Sequence, residues 1–274
     1  MGELNPGSVH RTLTSSTFFS GKGGNVAVAM ERLGNVDIEL IQALGGEPGK
    51  LIEKDMERFS IKPRSLWVSQ STRVCTTLTE KGGRTTELIE PSPELSLNEW
   101  ERIAEMVEDR LKENRDVLIC GSFPGGNPSS LIEALSRRPK ESNLWVDGLR
   151  QDILELAPMV LKINHKELAT LVEKTRSIAV DCEEVSARFG IPNLVITSED
   201  GPVTLWEKSG VQEIPVPSLP GVVNTTGAGD TFFGALAHGR LSGKSWKQSV
   251  ELGIEWAGLR CGLPNVEDLP SQKR

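Results

Sequence analysis

Residues 224–236 read NTTGAGDTFFGAL: three small residues, an acid, and then an apolar run with helical character. A helix start presents unpaired backbone N–H groups and a partial positive charge, and small residues let an anion approach that backbone closely. Gly227, Ala228 and Gly229 are thus placed to cradle a phosphate, above all one gaining charge during transfer. Asp230 has two readings. As a helix-dipole partner it contributes about 0.3–1 kcal/mol. As a general base it takes the proton of a hydroxyl attacking that phosphate, an effect of ~10²–10⁴ in rate. The dipole reading accounts less well for the consecutive small residues. Nearby, GRLSGKS (239–245) falls one residue short of a P-loop and follows a helix rather than a strand, so it is not read as one. Asn224-Thr225-Thr226 matches a glycosylation sequon, which carries little weight in a chain expected to lack a secretory signal.

The elements that must position this stretch are legible from residue 95 onward. Leu97, Trp100, Ile103, Val107 and Leu111 fall at helical spacing behind a Ser96/Glu99 capping-box pattern. DVLICG, NLWVDG, PMVLKIN and NLVIT read as buried strands, with SLIEALSRR, RQDILEL and AVDCEEVSARFG as helices between them. Strands separated by helices of this length predict βαβ units and a mostly parallel sheet. GPVTLW, the helix after Gly227 and SWKQSVELGIEWAGLRCG complete the pattern, and LPSQKR is expected to be a loose end. Between 61 and 94, RVCTTLTE and RTTELIE flank KGG and predict a hairpin that forms a lid or a small second sheet.

The 274 residues suffice for one large domain, and the net charge of −7 argues against a nucleic-acid partner. A pocket on such a surface can still be basic and take a small anionic substrate. Cys75, Cys120, Cys182 and Cys261 lie far apart with no ligand-like spacing, which predicts reduced thiols. No apolar run approaches the roughly 18 residues of a membrane span, and MGELNPGSVHR lacks a hydrophobic signal core. The expectation is a soluble, cytoplasmic protein with no membrane partner.

Asn224-Thr225-Thr226-Gly227-Ala228-Gly229-Asp230 resembles the C-terminal signature of the ribokinase-like sugar kinases, the phosphofructokinase-B family. SGKGGNVAVAMERLG (20–34) resembles the N-terminal signature, in the form typical of the 1-phosphofructokinase and tagatose-6-phosphate kinase branch. Lys162-Ile163-Asn164-His165-Lys166-Glu167 is similar to the family's K-P-N-x-x-E. LGGEPG (44–49), STR (71–73), ELIEPSPELS (87–96), GSFPGG (121–126) and the ketohexokinase-like AGLRCGL extend the similarity over nearly the whole chain.

The resemblance implies a three-layer α/β/α sandwich with a mostly parallel central sheet: a single domain over 1–274, its small β lid formed mainly by about 8–20 and 61–94. It implies Asp230 as the base and Gly227, Ala228 and Gly229 as the anion hole. Asn164 and Glu167 would organise Mg²⁺ and phosphates, mostly through water, although a helix cap with a first-turn acid explains the same pair. Gly21, Lys22, Gly23 and Asn25 would line the sugar site, with Lys22 and Arg73 holding a phosphate already on the substrate. ATP contacts are implied at Lys162, Thr197, Ser198, Gly201, Thr226, Ala257 and Cys261, and pairing of two chains through the lid is the assembly implied. Phosphoryl transfer asks mainly for positioning and charge stabilisation, which this set of residues supplies. Two cations suit a sugar phosphate better than a neutral sugar.

The match departs from the family at its start. Leu4-Asn5-Pro6-Gly7-Ser8-Val9 aligns with N-P-A-x-D and puts Val9 where an Asp grips sugar hydroxyls; the opening strand is nearly absent and the stretch before SGKGG is short. TSEDG (197–201) is one residue shorter than the family's loop. The expected activity is ATP-dependent phosphorylation of a phosphorylated ketohexose, of the fructose 1-phosphate or tagatose 6-phosphate type. The alternatives are a neutral sugar or nucleoside as acceptor, or a weakened nucleotide- and sugar-binding regulatory homologue.

Overall fold

The computed structural model describes residues 3–82, 84–198, 201–219 and 221–272. Gly83 of the predicted turn, Glu199 and Asp200 of the 197–201 loop, and the last two residues of the predicted tail lie outside the described residues.

The first third holds α1 (Lys22–Leu33), β1 (Glu39–Leu44), α2 (Gly46–Met56) and β2 (Lys62–Trp67), followed by the hairpin β3 (Cys75–Thr79) and β4 (Thr85–Ile89). The alternating region runs α3 (Leu97–Leu111), β5 (Val117–Cys120), α4 (Ser129–Ser136), β6 (Leu144–Asp147), α5 (Gln151–Leu154) and β7 (Val160–Asn164). It continues with α6 (His165–Leu171), α7 (Ile178–Phe189), β8 (Asn193–Thr197), β9 (Val203–Glu207) and β10 (Gly210–Ile214), and ends with α8 (Ala228–Leu241) and α9 (Trp246–Cys261). The six-stranded sheet has the order β10-β9-β8-β7-β6-β5; β5 to β8 are parallel, and β9 and β10 are antiparallel.

Strands buried along nearly their whole length, such as LWVD and NLVIT, fit a sheet covered on both faces. On one face Val26, Met30, Phe233, Leu236 and Val250 from α1, α8 and α9 pack on Val195, Val203 and Leu205. On the other, Ile103, Val107, Leu135, Val185 and Phe189 from α3, α4 and α7 pack on Leu161, Leu194 and Ile196. This is the expected three-layer sandwich. α3 begins with the predicted box: Ser96 Oγ accepts from the Glu99 amide, and Glu99 Oε2 accepts from the Ser96 amide. Leu97 shares the helical spacing but, as the helix's first residue, is exposed.

The hairpin pairs Cys75 with Ile89 through Thr79 with Thr85. It takes up only part of 61–94, because β2 pairs in parallel with β1, whose Ile41 and Ala43 enter the core beside Ile119. Residues 8–20 form no strand. No helix among the described residues is long and apolar enough to cross a membrane, and all four cysteines are free thiols.

α8 is buried along most of its length, with Phe233 fully buried between the sheet and its helix neighbours. Phe233→Ala is expected to lower unfolding stability by about 3–5 kcal/mol; urea denaturation with an unchanged slope and a loss below ~1 kcal/mol would contradict this packing.

Candidate active site

Three neighbouring parallel strands deliver polar groups to the same carboxyl-terminal edge: β5 ends at Cys120 and Gly121, β6 at Asp147, and β7 at Lys162 to Asn164. Ligands of open α/β sheets bind outside this edge. Asp147 is 1% exposed and ties two cations together. Lys162 Nζ donates to its Oδ2 at 3.2 Å, and Lys22 Nζ lies 3.5 Å from its Oδ1. Lys22 is the first residue of α1, with Gly21 as the N-cap and Gly23 and Asn25 in the opening turns. Its stem lies against Gly121, where an added Cβ would come within 2.8 Å of Lys22 Cδ.

α8 starts where the sequence predicts. Gly227 is its N-cap at φ 80°, a left-handed conformation that favours glycine, and no side chain caps the helix. The amides of Gly229 and Asp230 make no bond among the described residues. A Cβ on Gly229 would lie 3.1 Å from Lys162 Nζ, so that ammonium stands against the helix start. The Ala228 amide, by contrast, donates to Thr225 O at 3.1 Å, so the unbonded amides of Gly229 and Asp230, with the Lys162 ammonium against them, are the donors the helix start offers an anion.

Asp230 is buried, and Asn25 Nδ2 donates to its Oδ2 at 2.7 Å. No described residue bonds Oδ1. Burial pushes the Asp230 carboxyl above its ordinary range; the Asn25 bond opposes this, Asp147 adds to the rise, and Lys162 and Lys22 pull against it. Burial also opposes the Lys22 ammonium, but Asp147, Asp230 and Glu167 outweigh it and hold Lys22 above its usual value. The Cys120 thiol is pushed well up by burial and by Asp147 and Asp230, so it is no thiolate nucleophile.

Asn164 and Glu167 form a capping box on α6: Asn164 Oδ1 accepts from the Glu167 amide at 2.9 Å, and Glu167 Oε2 accepts from the Asn164 amide at 2.8 Å. The cap holds both side chains at the strand edge beside Lys162. Thr197 is the strand partner of Asn164, and Ser198 follows it with its Oγ close to Gly201. Thr226 lies exposed in the signature loop, its amide donating to Asn224 Oδ1. Ala257 and Cys261 stand one turn apart on α9. Arg73 does not join the group: it donates to Ser92 Oγ at 2.8 Å at the base of the hairpin and is exposed. Val9 is also exposed.

Two site residues escape the sequence reading. Asp147 has only a faint signal, an acid followed by glycine at the end of a buried strand. Arg260 is hidden in the last turn of α9, where it is 2% exposed near Gly227.

The family model for pfkB family carbohydrate kinases matches residues 2–273. The 1-phosphofructokinase of Escherichia coli K12 is 28% identical over 273 residues, covering 96% of this chain and 86% of that protein. The tagatose-6-phosphate kinase of Staphylococcus epidermidis is 26% identical over 255 residues, covering 88% and 80%. Among solved structures, phosphofructokinase-2 from Escherichia coli in complex with substrates and products superposes with a TM-score of 0.85 at 20% identity, covering 98% of this chain and 90% of that one. Ribokinase from Thermotoga maritima gives 0.81 at 22%, with the same coverage.

The charge arrangement has a direct consequence. Carbon-detected NMR titration is expected to place the Asp230 carboxyl above ordinary aspartates. In Asp147→Asn its midpoint should fall, because a neighbouring negative charge is removed while both lysines remain. A midpoint that stays or rises would contradict the assigned coupling.

Proposed function

The chain belongs to the pfkB family of carbohydrate kinases, phosphotransferases with an alcohol group as acceptor, and we propose that it transfers the γ-phosphoryl group of ATP to a hydroxyl of a phosphorylated ketohexose of the fructose 1-phosphate or tagatose 6-phosphate type. The observation that carries this reading is the gathering of Lys22 and Lys162 on Asp147 beside Asp230 and the start of α8.

In this mechanism the sugar hydroxyl approaches Asp230 Oδ1, while Asn25 fixes Oδ2 and so the plane of the carboxylate. As oxygen attacks phosphorus, its proton passes to Asp230 and the bond to the leaving ADP oxygen breaks. Charge spreading over the equatorial oxygens meets the amides of Gly227 and Gly229 and the Lys162 ammonium, and the Ala228 amide would join them on releasing Thr225 O. Lys22, 44% exposed on its side chain and 3.5 Å from Asp147, would turn from Asp147 to the phosphate already on the sugar. Arg73 would have to release Ser92 to assist.

Asn164 and Glu167 suit Mg²⁺, a hard cation that takes oxygen donors and keeps most of its waters. Both side chains are oxygen donors held in place by their cap, and no group of three or more acids, histidines or cysteines forms a metal cage among the described residues. The ion would neutralise phosphate charge when bound. The nucleotide is assigned to Lys162, Thr197, Ser198, Gly201, Thr226, Ala257 and Cys261; exposed Leu219, Val223 and Leu259 offer apolar surface beside α9 for its base. Exposed Val74, Leu88 and Ile89 on and beside the hairpin support pairing of two chains there.

The test is ATP consumption across sugars, nucleosides and sugar phosphates. Phosphorylated ketohexoses should exceed fructose and ribose in kcat/KM by ~10² or more, as a site built around a charged group rejects analogues that lack it. Lys22→Met should raise the sugar-phosphate KM ~10–100-fold, the loss of one charged hydrogen bond. A neutral sugar as best acceptor would overturn the assignment, and ATP binding with no product from any acceptor would favour a binding protein.

A further inference from the structure

Arg260 is buried without pairing to a carboxylate among the described residues. Buried charges are ordinarily paired; this one is met by carbonyl oxygens. Nη1 donates to Leu263 O at 2.7 Å and to Asn224 O at 3.4 Å, Nη2 donates to Pro264 O at 3.3 Å, and Nε makes no bond. These carbonyls come from two segments, the exit of α9 and the first residue of the signature loop.

Other bonds fasten the same junction. Cys261 O accepts from the Val223 and Asn224 amides at 2.7 and 3.2 Å, and Asn224 Nδ2 donates to Pro264 O at 2.9 Å. Asn224 Oδ1 accepts from the Thr226 amide and turns the chain toward Gly227. A Cβ at Gly227 would lie 3.4 Å from Asn25 Nδ2, the partner of Asp230, and 3.7 Å from Arg260 Nε. The guanidinium therefore stands directly behind the helix start. In a trans peptide the N–H points opposite to the C=O, so holding Asn224 O on Arg260 turns the Thr225 amide away from it and sets the path into the cradle.

We propose that Arg260 is the positioning residue of the phosphate cradle: its guanidinium gathers the carbonyls of Asn224, Leu263 and Pro264 and so aims the amides of Gly227 and Gly229, on either side of the Ala228 amide that closes onto Thr225 O, at the transferring group. This rests on the phosphotransfer reading above. A planar, permanently charged fork reaches three carbonyls at once, which an ammonium on a flexible stem does less well.

The experiment compares Arg260→Gln and Arg260→Lys with the wild type by steady-state kinetics, amide hydrogen exchange of residues 222–231, and thermal unfolding. In Arg260→Gln, kcat should fall ~10²-fold, the scale of a lost anion-hole donor, with the sugar-phosphate KM nearly unchanged and faster exchange in the 222–231 peptide. Arg260→Lys should lie between Gln and wild type. Tens of millimolar guanidinium chloride, but not sodium chloride, should restore turnover and protection in Arg260→Gln alone. Unchanged kcat and exchange, a rise in KM alone, or no response to guanidinium would overturn the proposal. If wild-type protein turns over no acceptor, the phosphotransfer reading falls, while exchange and its rescue still judge the positioning role. If Arg260→Gln does not fold, the exchange and kcat of Arg260→Lys decide.

Discussion

Two buried carboxylates, one at the end of β6 and one in the first turn of α8, are the constraint from which the site follows. Burial and the neighbouring Asp147 raise the cost of ionising Asp230, and a buried carboxylate needs a cation or a donor close by. Lys22 and Lys162 on Asp147, with Asn25 on Asp230, meet that need before any substrate arrives. Removing Asp147 would leave the buried Lys162 ammonium uncompensated, at about 3–5 kcal/mol. The groups that would handle phosphate are therefore also structural, and Lys22 is the more exposed of the two lysines.

The sheet makes this economical. Consecutive parallel strands end side by side, so residues far apart in sequence reach one edge with their backbones already fixed. The α6 cap illustrates the same thrift. Asn164 and Glu167 satisfy the helix's first amides and, in doing so, hold two oxygen donors beside Lys162. Capping and metal organisation need not compete, since a hydrogen-bonded carboxylate retains acceptor capacity.

The sequence made the signature loop legible because a helix start, small residues and an acid have one shared physical meaning. The strands from β5 to β9 were legible because short, mainly apolar runs of β-branched residues and leucine dominate them, and α3 because its cap and its buried stripe agree. β1, β2 and β10 were not: KPRSLW and GVQEI mix polar and apolar residues, and their pairing is decided by distant neighbours. Asp147 looks like any acid in a turn until Lys22 and Lys162 arrive from elsewhere in the chain. Arg73 shows the reverse case, a cation whose motif matches while its side chain is engaged with Ser92. Solved structures at 20–22% identity share nearly the same fold, so the architecture by itself does not specify a substrate.

The central claim is that Asp230 removes the acceptor's proton while the helix start holds the phosphoryl group. Its most direct measurement is single-turnover transfer from ATP in Asp230→Asn, alongside calorimetric binding of Mg²⁺ and ATP. The account predicts a rate lower by ~10²–10⁴ with nucleotide affinity close to wild type. Transfer at the wild-type rate would contradict it, as would loss of nucleotide binding with unchanged transfer at saturation.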